Sequence, residues 1–149
     1  MTSGIELVRP PALSRAAPYA YAAVSDPGRM VFTAGACPLD ADGATVAVGD
    51  VAGQARQVMA NLVTALEAAG ATLTDVLKTT VYVATTDRED LRRAWDVVRT
   101  ALGDHAPPST LVGVTVLGYA DQLVEVEAVA VRDSWPEPGP PDDGSTVGR

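Results

Sequence analysis

The stretch VAGQARQVMANLVTALEAAGATLTDVLKTTVYV, Val51 to Val83, decides the fold because the hydrophobic period changes inside it. Val58, Met59, Leu62, Val63 and Leu66 recur at the three-to-four spacing of one helical stripe. Asp50 stands where an N-cap carboxylate takes up the first free amides, and Gly70 where a helix ends in the left-handed region. VLKTTVYVAT, residues 76–85, is rich in β-branched residues and reads as a strand. Gln54, Arg56 and Gln57 are expected on the exposed side of the helix.

The same alternation of periods extends both ways. On the N-terminal side, YAYAAVSDPGRMVFTAG reads as a hairpin turning at Asp26-Pro27-Gly28. DADGATVAV offers an Asp-Gly turn and a short strand. On the C-terminal side, Thr86 and Glu89 form a candidate capping box. It opens a helix with Leu91, Ala94, Trp95, Val98 and Leu102 inward, closed by Gly103. STLVGVTVL and QLVEVEAVAVR then form two strands around the turn GYAD. The result is an α+β domain of two layers, six strands in a mixed sheet with two helices on one face. The opposite face carries small apolar residues, which calls for a second subunit: a homo-oligomer is expected.

Composition narrows the function. The chain has 149 residues, nearly half apolar, and a formal charge of −8 that repels phosphate backbones. Nucleic acid is therefore not an expected partner. No apolar run has membrane-spanning length and the N-terminus lacks a hydrophobic signal core, so a cytoplasmic protein with no membrane partner is expected. The single cysteine, Cys37, fits a reducing compartment. No metal-ligand spacing and no phosphate loop occur, so neither metal nor cofactor is expected. Residues 1–135 are read as one domain with a loose first dozen residues. Residues 136–149, rich in proline, glycine and acid, are read as a disordered tail.

MVFTAGACPLD, the long 51–83 stretch and LVEVEAVAV together resemble the Rid family, also called YjgF or L-PSP, from about Pro18 to Arg132. The resemblance implies a chorismate-mutase-like fold and a homotrimer with a central barrel and pockets between subunits. It also implies hydrolysis of imines and enamines such as 2-aminoacrylate. Carried over by position, Glu125 is the glutamate that orders the attacking water. Tyr19 is the tyrosine that reaches a neighbouring pocket, and Gly35 the glycine whose backbone lines the site. Ala34 and Leu111 stand where serine and cysteine are common.

One departure matters most. HAPPSTLVGVTVL, His105 to Leu117, matches the segment in which an arginine holds the substrate carboxylate, and Ser109 occupies that position. The bidentate fork is missing. Ser109, Thr110, Leu111 and Cys37 are therefore expected to line a less charged pocket around Glu125. The substrate is then an imine, enamine or related electrophile other than a short 2-imino acid. A specialised catalyst of dehydration, cyclisation or ring-opening hydrolysis on the same scaffold, and a non-catalytic ligand-binding trimer, stay open. Glu127 is expected to be structural, and His105 a surface residue.

Overall fold

The computed structural model describes residues 4–132; the expected tail lies outside them. Its central helix, α1 (Val51–Ala68), starts at Asp50, whose side chain accepts from the Gly53 amide. It ends as a Schellman turn: Gly70, at φ +77°, donates to the Glu67 carbonyl and Ala71 to the Leu66 carbonyl, each at 2.9 Å. A 3₁₀ turn, Leu73–Asp75, leads into the long strand at Val76–Ala84. The second helix, α2 (Arg88–Leu102), is capped by Asp87 rather than by Thr86. The carboxylate accepts from the Glu89 amide, which moves the expected start by one residue.

In chain order the strands are β1 (Ile5–Val8), β2 (Ala22–Ser25), β3 (Arg29–Phe32), β4 (Val76–Ala84), β5 (Ser109–Val114) and β6 (Val124–Arg132). Four of them form a mixed sheet in the order β3-β6-β4-β5, with β4 and β5 parallel and the other pairs antiparallel. Both helices cover one face. Their buried stripe, Val58, Leu62 and Leu66 on α1 with Ala94 and Val98 on α2, meets Val81, Val83, Val124, Val126 and Ala130. Burying each large aliphatic side chain is worth roughly 1.5–3 kcal/mol, and this layer holds the fold.

The two-layer α+β reading stands, with differences in the strands. The six strands divide four and two: β1 pairs antiparallel with β2 as a separate ribbon. Ile5–Val8, expected to be loose, is thus a strand, its four residues too few to register beside Pro10 and Pro11. The expected hairpin across Asp26-Pro27-Gly28 does not form. β2 pairs with β1 while β3 pairs with β6, and the Asp26 amide goes to the Gly4 carbonyl at 2.9 Å. Alternation and a turn signal locate strand ends without naming partners. DADGATVAV makes only a bridge, Leu39 with Thr45, around a turn in which Asp40 Oδ1 accepts from Asp42 and Ala44 amides.

Gln54 also corrects the sequence reading. It is fully buried, donating to the Asp121 carbonyl at 2.8 Å and accepting from the Leu123 amide at 2.7 Å. It ties α1 to the loop before β6. The His105 ring is half-buried and lies 2.7 Å from the Val76 carbonyl, so it is not a plain surface residue.

Candidate functional site

The two helices leave the second face of the sheet uncovered. Across it, Glu125 of β6 lies beside Tyr82 of β4, and Glu127 beside Thr80. The Tyr82 hydroxyl donates to Glu127 Oε1 at 2.8 Å. That bond, with smaller contributions from burial and the two carboxylates, holds the phenol above its ordinary pKa. Lys78 donates to Thr110 Oγ1 at 2.7 Å and to the Thr79 carbonyl at 2.8 Å. Burial lowers its pKa, and Glu127 partly offsets this. Phe32, Lys78, Thr80, Glu127 and Val129 line a small recess of about 190 Å³ on this face.

Glu125 is at the end of this face where the chain leaving β3 continues alongside β6. Ala36 bridges to Val126, its amide donating to the Val126 carbonyl at 2.8 Å. The carboxylate folds over Gly35, where a Cβ would lie 2.5 Å from the Glu125 carboxyl carbon. A side chain here would force the carboxylate to shift. The Cys37 thiol donates to Glu125 Oε1 at 3.0 Å. Burial first, then the bond and charge of Glu125, push this thiol up to about 11, so near neutral pH it is a protonated donor rather than a nucleophile. Gln122, almost fully buried, approaches the same oxygen at 3.4 Å.

The remaining candidates assemble elsewhere. Arg9 donates to the Tyr19 carbonyl at 2.8 Å, and Ala20 to the Ala106 carbonyl at 2.9 Å, which seats Tyr19 beside the start of β5. Its ring packs edge-on against Trp95, centroids 6.2 Å apart. Pro18, Tyr19, Trp95, Ser109, Thr110 and Leu111 line a cleft of about 520 Å³ with no charged side chain among them. The Ser109 hydroxyl turns inward, 2.6 Å from Thr79 Oγ1 and donating to the Pro107 carbonyl at 3.1 Å. Leu111 packs on the core. Within one subunit, then, Gly35, Cys37 and Glu125 form one group and Tyr19, Ser109, Thr110 and Leu111 another, with β4 between β6 and β5.

A larger groove, about 770 Å³, lies between the helices and is lined by Met59, Val63, Leu73 and Val97 with Arg56 and Asp96. It shares no residue with either group. Among the described residues no cluster of three or more His, Cys, Asp or Glu could hold a metal, and no helix is long and apolar enough to cross a membrane.

Sequence reasoning passed over Gln122, Gln54 and the pairing of Trp95 with Tyr19. Gln54 had left a signal: it lies on the stripe Val51, Gln54, Ala55, Val58 that turns toward the sheet. Gln122, read as the first residue of the last strand, lies instead in the loop before β6.

The profile of the family described as Endoribonuclease L-PSP matches residues 10–132. The chain belongs to the L-PSP family. The Rid-family protein YyfB of Yersinia pestis superposes with a TM-score of 0.79 at 27% identity, over 87% of this chain and 99% of that one. The YjgF gene product of Escherichia coli gives 0.62 at 33% identity, over 85% and 97%. By sequence, the RutC family protein PH0854 of Pyrococcus horikoshii is 37% identical over 106 residues, 71% of this chain and 82% of its own length. The 2-iminobutanoate/2-iminopropanoate deaminase of Salmonella typhimurium is 37% identical over 108 residues, 72% of this L-PSP chain and 83% of its own.

Proposed function

We propose that this L-PSP protein hydrolyses imines or enamines that lack a carboxylate, with Glu125 as the proton-transfer group, in a homotrimer whose subunits meet on the uncovered sheet face. The observation that carries this reading is the Glu125 carboxylate, ordered by Cys37 and Gln122 over the bare backbone of Gly35, on the sheet face away from the helices. Relatives named as 2-imino acid deaminases support the reaction class. The uncharged cleft at Tyr19, Trp95 and Ser109 supports the departure in substrate. A charge of −8 speaks against RNA.

The chemistry needs one group that both accepts and returns a proton. Glu125 takes a proton from water as the water oxygen bonds to the imine carbon. The C=N π pair moves to nitrogen, which takes that proton back from Glu125, and a carbinolamine forms. Glu125 then takes the carbinolamine hydroxyl proton and delivers it to nitrogen. The oxygen electrons form the ketone C=O as the C–N bond breaks. Imine plus water becomes ketone plus ammonia. The Tyr19–Trp95 cleft of one subunit, brought against Glu125 of another, would hold an apolar substituent by stacking and burial.

Ammonia release is the test, with acetophenone imine and 2-iminopropanoate as the two probes and sedimentation to give the assembly. The expected result is a trimer that turns over the first probe well above its spontaneous rate and the second weakly. Ser109→Arg should recover binding of 2-iminopropanoate by about one to two powers of ten, the range of a charge-assisted hydrogen bond. Robust wild-type turnover of 2-iminopropanoate, indifferent to Ser109→Arg, would refute the substrate assignment, and a stable monomer the assembly.

A further inference from the structure

Glu125 is held from two directions but on only one of its two oxygens. The Cys37 thiol and the Gln122 amide both reach Oε1, at 3.0 and 3.4 Å. Among the described residues, none donates to Oε2. That oxygen lies over Gly35, 2.7 Å from where a Cβ would stand. The two donors come from different segments, Cys37 from the chain after β3 and Gln122 from the loop before β6, and each is anchored independently. Asn61 of α1 donates to the carbonyls of Cys37 and Leu39 at 2.8 and 2.9 Å. Gln122 is 4% exposed, donates to the Val124 carbonyl at 3.2 Å, and accepts from the Tyr119 amide at 3.1 Å. Buried Gln54 pins the same loop through Asp121 and Leu123.

We propose that Cys37 and Gln122 are positioning residues: by occupying Oε1 they stop the carboxylate from rotating and leave Oε2 as the one oxygen presented to water and substrate. This rests on the reading of Glu125 as the proton-transfer group. A thiol suits the role because it is a neutral donor that keeps its proton beside a carboxylate. The titratable groups facing Glu125 are Cys37 from the chain after β3, Tyr82 from β4, and Glu127 on its own strand, and Tyr82 is committed to Glu127. Removing a donor from Oε1 therefore frees the carboxylate to rotate.

Two measurements separate this proposal from the reading beneath it. Cys37 is the chain's single cysteine, so iodoacetamide alkylation at pH 8 reports on it alone. Glu125→Gln should accelerate alkylation several-fold, because the negative charge that retains the thiol proton is lost. With acetophenone imine, Cys37→Ala should lower kcat about tenfold at nearly constant KM. Cys37→Ser, which keeps a donor, should restore most of the rate. Gln122→Leu should act like Cys37→Ala if its melting temperature shows it folded. Equal alkylation rates in wild type and Glu125→Gln would overturn the proposal and leave imine hydrolysis standing. So would a Cys37→Ser variant as slow as Cys37→Ala. Full turnover in Glu125→Gln would overturn both.

Discussion

The two faces of the four-stranded sheet are built from the same strands, residue by residue in alternation, yet they obey different rules. Under the helices β4 and β6 present valine and alanine, close-packed with Leu62 and Leu66. On the other face the same strands present Lys78, Thr80, Tyr82, Glu125 and Glu127, which pair with one another and with the chain after β3. The covered face is constrained by volume and the uncovered face by hydrogen-bond geometry. Stability and chemistry are thereby separated across the thickness of one sheet, so a change on one face should leave the other largely intact.

The largest effect on stability should come from the covered face. Leu62→Ala empties fully buried volume and should cost about 2–5 kcal/mol in urea denaturation. A loss under 1 kcal/mol would mean that the helix layer is less tightly packed than described. On the uncovered face, Phe32 is 73% exposed within a subunit. Phe32→Asp should leave the subunit folded by circular dichroism but shift sedimentation from trimer to monomer, since burying an unpaired carboxylate is costly. A variant that remains trimeric would place the contact elsewhere.

The smallest effect should be Tyr82→Phe, about 0.5–1 kcal/mol at pH 7 for a half-exposed hydrogen bond. Its sign with pH is definite. The folded-state pKa is raised, so the contribution is fully present below the ordinary tyrosine value near 10 and lost as pH rises through the folded value. Wild type and variant should therefore converge in denaturation midpoint above pH 10. A gap that widens there would contradict the Tyr82–Glu127 bond.

The covered face was legible in the sequence because burial writes a period. The stripe of α1, the Asp50 and Gly70 boundaries and the alternation of β4 and β6 follow from spacing alone, and they hold. Strand partners were less legible: β2 meets β1 rather than β3 because a turn residue marks a reversal without choosing the neighbour. On the uncovered face, Glu125 and Gly35 were reached only through resemblance. Their contact depends on the chain after β3 running alongside β6, which no local pattern encodes. Gln122 was read as the head of the last strand, and Gln54 stood on the buried stripe and was misread as polar and therefore outside. Tyr19 and Ser109 lie apart from Glu125 within one subunit, and no property of a single strand says whether a second subunit joins them.

The central claim is that the chemistry of the uncovered face is concentrated in one of its two glutamates. Glu125→Gln and Glu127→Gln differ by two positions on one strand and remove the same charge. Ammonia release from acetophenone imine, measured on samples matched in melting temperature and sedimentation, compares them directly. Glu125→Gln should lose about two or more powers of ten in kcat, as expected when a proton-transfer group is removed, and Glu127→Gln less than about threefold. Equal losses, or full activity in Glu125→Gln, would contradict the account.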